Sequence, residues 1–139
     1  MTKYTFFLLS FFALSSCSLF QKPAPESGVS KRLAKQRAKA ISELKYHLNI
    51  EVPEDKDEPI SGIANIRFEL NTKQTTYLDF KADNKQLHQL IINDQVVENP
   101  TITNEHIKLN KSFLHKGSNT IKVHFTAGDG ALNRNDNYF

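Results

Sequence analysis

Between Leu44 and Leu70 the chain alternates apolar with polar residues in two runs, and that alternation limits what it can fold into. Leu44, Tyr46, Leu48, Ile50 and Val52 are separated by Lys45, His47, Asn49 and Glu51. After a charged loop, Ala64, Ile66, Phe68 and Leu70 alternate with Asn65, Arg67 and Glu69. A period of two puts successive side chains on opposite faces of a pleated strand, so each run predicts one buried face and one wet face. Two such runs in sequence predict an antiparallel pair whose register is set by the shared apolar face. Later strands are expected to lie against that face.

Those later strands are readable at 75–81, 87–92, 95–98, 102–109 and 119–126. Leu78 and Phe80 point inward in the first, and Ile121, Val123 and Phe125 in the last. Asn93-Asp94 separates two of the runs, and both residues tolerate the left-handed conformation of a tight hairpin turn. Residues 111–115 read as one helical turn closed by Gly117. The sum is about seven short strands. The fold class is therefore mainly β, an antiparallel sandwich or saddle. At 139 residues with 39% hydrophobic composition, the chain suffices for one modest domain with a real core.

The N-terminal part is of another kind. Lys3 precedes an apolar run from Tyr4 to Leu14. That run is shorter than the ~20 residues a membrane-spanning helix needs, and it has the form of a secretory signal. Leu14-Ser15-Ser16-Cys17 follows, and it resembles the bacterial lipobox, in which a cysteine is acylated and becomes the new N-terminus. Cys17 is the only cysteine in the chain, so no intrachain disulfide forms. The expected cleavage lies between Ser16 and Cys17, with lipidation at Cys17; the alternative is an ordinary secretory signal with an incidental cysteine. Residues 17–29, with Pro23, Pro25 and Gly28, read as a flexible tether. Ser30 is a plausible N-cap for a helix over 30–43 with a thin stripe of Leu33, Ala40, Ile41 and Leu44. Lys31, Arg32, Lys35, Arg37 and Lys39 make that helix basic. It either packs its stripe on the sheet with a solvated outer face or contacts anionic lipid headgroups near the anchor.

Several function classes lose support. A net charge of +3 is too small and dispersed for a nucleic-acid partner. The histidines at 47, 88, 106, 115 and 124 have no metal-ligand spacing and read as scattered surface residues. The loop holding Glu54, Asp55, Asp57 and Glu58 lacks the calcium-hand pattern and reads as a solvated hairpin loop. No phosphate loop or nucleophile elbow is present, so no catalytic and no metal residue is assigned.

Certain segments in order carry a resemblance. Lys45-Tyr46-His47-Leu48, the strand from Gly62 to Leu70, Leu78-Asp79-Phe80, and the run Ala127-Gly128-Asp129-Gly130-Ala131-Leu132-Asn133-Arg134-Asn135-Asp136 resemble the N-terminal β-domain of zinc aminopeptidases. The family is that of aminopeptidase N and the leukotriene-hydrolase-like enzymes, in its bacterial lipoprotein-type branch, and the resemblance covers residues 31–139. The family's His-Glu-x-x-His motif, third glutamate ligand, Gly-x-Met-Glu-Asn motif and transition-state tyrosine have no counterpart here, so no catalytic residue carries over. The resemblance implies a chain that stops inside the first domain, before the catalytic domain.

In the parent enzyme, the resemblance implies zinc with an open coordination position, a glutamate general base and removal of N-terminal residues from peptides. It implies that the missing catalytic domain is a partner, with Asn133, Arg134 and Asn135 near the junction; in this chain alone they read as a solvated loop. The expected organisation is a signal at 1–16, a tether at 17–29 and an incomplete β-domain at 30–139, comprising helix 30–43, strands 44–127 and loop 128–139. The location is the bacterial cell envelope, through lipidated Cys17. The competing expectation is a complete, non-enzymatic β-sandwich lipoprotein used for binding or scaffolding. Cys17→Ala should leave the precursor unprocessed and without fatty-acid label; continued labelling of that variant would contradict the assignment.

Overall fold

Ser30 starts the ordered run of elements as an N-cap, its hydroxyl accepting from Leu33 N–H at 3.2 Å. The computed structural model describes residues 25–127. Helix α1 (Lys31–Ala40) ends where Ile41 turns extended. The expected helix to residue 43 is therefore three residues too long. Ile41 instead opens the first strand by pairing with Leu70, and Glu43, at φ 51°, sits in a bulge between Ser42 and Lys45. Leu33 and Ala40 of the stripe are buried, while Lys31, Arg32, Lys35 and Lys39 face water.

Eight strands follow: β1 (Ile41–Glu51), β2 (Ser61–Leu70), β3 (Thr76–Asp79), β4 (Leu87–Ile92), β5 (Gln95–Val96), β6 (Ile102–Thr103), β7 (His106–Leu109) and β8 (Gly117–Thr126). They form two antiparallel sheets, one ordered β1-β2-β8-β4-β5 and the other β3-β7-β6. The chain is mainly β, with its sheets facing each other as a sandwich. The expected seven strands become eight because residues 102–109 are a hairpin, turning at Asn104 and Glu105 with φ 50° and 64°. Asn93 and Asp94 turn β4 into β5 with φ 49° and 64°, as their residue types foretell. No continuous helical turn forms at 111–115. Two i-to-i+3 bonds, Phe113 N–H to Asn110 O and Leu114 N–H to Lys111 O, make successive turns, and Gly117 at φ 91° leads into β8.

Ile66, Phe68 and Leu70 of β2, Leu90 and Ile92 of β4, and Ile121 and Val123 of β8 supply the large sheet's share of the core. Ile107 and Leu109 of β7 close it from the other sheet, with Leu114 beneath. Each such side chain contributes ~1.5–3 kcal/mol when fully buried. Gly62 is needed where β2 passes Phe125, because a Cβ there would lie 2.4 Å from the ring.

A hydrogen-bonded polar side chain is built into this core. Asn119 is fully buried; its Oδ1 accepts from His115 N–H (2.8 Å) and Asn93 Nδ2 (3.0 Å). Its Nδ2 donates to the carbonyls of His115 (3.0 Å) and Gly117 (2.8 Å). Asn93 extends the network by donating to Phe113 O and accepting from Thr120 N–H. The side chain thus fixes the turn before β8 to the turn after β4. Removing it strands several buried groups at ~1–3 kcal/mol each. Asn119→Ala should lower unfolding stability by about 3 kcal/mol in chemical denaturation; a loss below about 1 kcal/mol would show that water replaces the network.

Candidate functional site: an open apolar face at the sheet edge

The first alternating run behaves differently from the second. The strand pairing matches Tyr46 with Ile66, Leu48 with Ala64 and Ile50 with Gly62. Directly opposed residues share a face, so Tyr46, Leu48 and Ile50 stand on the core side of the sheet. All three are exposed, Tyr46 and Leu48 at 55%, and so are Leu44 and Val52. The expectation that this apolar side is buried is therefore corrected. The pairing and register hold, but no layer of the described residues covers this side. The second sheet has three strands against five, and its buried side chains pack with those of β2, β8 and β4.

The apolar side continues into a groove of about 300 Å³ between the two layers. Ile66 and Phe68 form its floor, while Leu44, Tyr46 and Leu78 line its sides. Arg37, Tyr77 and Asp79 form a polar rim. Arg37 of α1 holds Asp79 of β3 through two guanidinium nitrogens, one of them at 2.6 Å. This pair latches the helix to the small sheet beside the groove.

His106 lies beneath that latch. It is buried, which overturns its reading as a surface histidine. It is the register partner of Asp79, so both stand on one face of the small sheet, opposite to Leu78 and Ile107. Its Nδ1 meets Asn104 O, and Tyr77 packs against its ring edge-on at 6.2 Å. Its Nε2 is 3.1 Å from Asp79 Oδ1 but off the line of a hydrogen bond, leaving that buried nitrogen geometrically unsatisfied. Arg37's paired hydrogen bond holds the Asp79 carboxyl below its usual range; partial burial opposes this, and the charges of Arg37 and His106 reinforce it.

The same end of the small sheet anchors residues assigned above to the tether. Glu105 accepts from Ser27 Oγ (2.7 Å) and Gly28 N–H (2.8 Å), and Asn104 donates to Pro25 O (3.0 Å). Those bonds, chiefly the one from Ser27, lower the Glu105 carboxyl's proton affinity. Residues 25–28 are thus fixed on the β6–β7 turn.

Ser16 and Cys17, the expected cleavage and lipidation residues, and Asn133, Arg134 and Asn135, the expected interdomain contacts, lie outside the described residues. Among the described residues no three His, Cys, Asp or Glu side chains gather to hold a metal, and no helix is long and apolar enough to cross a membrane. In the acidic loop, Asp55 accepts from Asp57 N–H at 2.9 Å, a local turn bond. The remaining pieces of the aminopeptidase-like pattern fall on β1, β2 and β3. Compared with known protein families and with curated proteins, the chain matches none.

Neither Asn119 nor His106 was assigned a role from sequence. Asn119 shares the inward parity of Ile121 and Val123, and a polar residue at such a position signals a buried network. His106 carries no comparable signal, because it shares its parity with exposed Lys108 and is met by Tyr77 and Asp79 from another strand.

A lowered folded-state carboxyl contributes stability above its ordinary value and loses it as pH falls through the lowered one. Asp79 should therefore support the fold fully at pH 5–8 and progressively less below its ordinary value of 3.8. Its side chain is 42% exposed, so solvent screening limits the pair to about 1 kcal/mol. Asp79→Asn should be less stable by that amount at neutral pH, with the gap closing under acid. A gap independent of pH down to full acid unfolding would contradict the ion pair's role.

Proposed function

We propose that this chain forms the non-catalytic N-terminal β-domain of an exported zinc aminopeptidase, and that the apolar face of β1 is where the rest of that protein packs. The observation that carries the reading is the open face itself. Five apolar side chains in alternation, four on the edge strand β1 and Val52 just past its end, are about half exposed and continuous with the core. A contiguous apolar face of this kind marks a surface made for contact. Covering a large apolar side chain completely contributes ~1.5–3 kcal/mol relative to exposure, so five half-covered ones leave several kcal/mol for a docking layer.

The zinc ligands, the general base and the residues gripping a peptide's amino terminus belong on this reading to the packed partner domain. The β-domain supplies support and one wall. Lipidation at Cys17 would hold the assembly at a membrane of the cell envelope, with residues 18–24 as the link to the anchored residues 25–28.

The test is to tag the chromosomal gene within the β-domain and recover the protein from the envelope of its native cells. The reading predicts a species well above the 15.9 kDa of this chain that releases N-terminal residues from aminoacyl substrates and loses that activity to a zinc chelator. A species no larger than 15.9 kDa without such activity would contradict it and favour a binding or scaffolding lipoprotein.

A further inference from the structure

The edge of β1 is a surface distinct from its face. In the large sheet β1 is terminal, with β2 on one side and no described strand on the other. Which backbone groups point outward follows from one bond. Ala127 N–H donates to Ile60 O at 2.8 Å, so Ile60 turns its backbone toward β8. Backbone direction alternates along a strand. Ser61, Ile63, Asn65 and Arg67 therefore turn theirs toward β1, where their partners are Glu51, Asn49, His47 and Lys45. The residues between, Tyr46, Leu48 and Ile50, present N–H and C=O to the open edge. Long uncovered edges of this kind template further strand pairing.

We infer that the open edge of β1 pairs antiparallel with the same edge of a second copy, about a two-fold axis through Leu48. Self-pairing about a two-fold axis requires each residue to meet its own mirror position. Centred on Leu48, the register sets Leu48 against Leu48, Tyr46 against Ile50, His47 against Asn49, and Lys45 against Glu51. The outward-facing backbone groups of Tyr46, Leu48 and Ile50 then meet their counterparts as bonded pairs. The register also sets two oppositely charged pairs across the axis.

No neighbouring symmetric register does this. Centring on His47 opposes Glu43 to Glu51 and leaves Lys45 against Asn49. Centring on Asn49 opposes Lys45 to Pro53. Lys45 is also short of a counter-charge in its own sheet. Its cross-strand partner in β2 is Arg67, a like charge, and no described residue pairs with its ammonium. A partner's Glu51 on the open side supplies the missing carboxylate. Opposed opposite charges favour strand pairing, and like charges oppose it.

The experiment uses the full chain with Leu48→Cys, under mild oxidation. Directly opposed bonded residues stand about 5.5 Å apart at Cα, within disulfide reach. The unsubstituted chain reports any contribution from Cys17. The expected result is a disulfide dimer specific to Leu48→Cys. Its yield should fall severalfold when Lys45→Glu or Glu51→Lys is added alone and return when both are added together. Circular dichroism confirms folded variants, and Asn49→Asp on the same strand should leave the yield nearly unchanged. A Leu48→Cys chain that stays monomeric, or yields equal across the charge variants, overturns the pairing. The readout is independent of peptidase activity, so it stands or falls separately from the reading of the β1 face.

Discussion

A β-sheet buries its apolar side only as far as a second layer reaches, and here the second layer is too narrow. The five-stranded sheet is organised on β2, which pairs with β1 along one side and β8 along the other. The small sheet closes the core over β2, β8 and β4. Everything distinctive about the molecule follows from the strand left over. Ile41 at the start of β1 packs against the core, while Tyr46, Leu48 and Ile50 contribute register and backbone pairing instead of burial. The groove exists because the floor extends beyond its cover.

Much of the fold was legible in residue pattern. The β2 run, the limits of β4, the Asn93-Asp94 turn and the Ser30 cap each express a local rule that needs no distant partner. Period two correctly assigned Tyr46, Leu48 and Ile50 to the side of Ile66. What it cannot state is whether anything lies above that side, because cover depends on the width of another layer. The helix end failed for a related reason. Ile41 fits the helical stripe as well as the strand, and pairing with Leu70 decides between them. Asn104 and Glu105 hid a hairpin inside what reads as one short strand over 102–109, since Glu gives no turn signal of its own. Of the site, the apolar residues of β1 were readable and their exposure was not; the latch of Arg37 over Asp79 and His106 joins segments 42 residues apart and had no local trace.

The small sheet has a role beyond closing the core. Its outer end holds α1 through Asp79 and residues 25–28 through Asn104 and Glu105. Both attachments bring the N-terminal segment onto the side of the molecule that carries the groove's rim. Lys31, Arg32, Lys35 and Lys39 of α1 remain on the solvent side, while Arg37 is taken up by Asp79.

On the function proposed above, the apolar face of β1 is open among the described residues and would be covered in the protein of its native cells. Hydroxyl-radical footprinting of Tyr46 and Leu48 tests it directly, with Ile66 and Phe68 as buried references. In the 139-residue chain, Tyr46 and Leu48 should label rapidly while Ile66 and Phe68 stay protected. In protein recovered from the native envelope, Tyr46 and Leu48 should become as protected as the references. Protection of Tyr46 and Leu48 already in the 139-residue chain, or equal labelling in both preparations, would contradict the account.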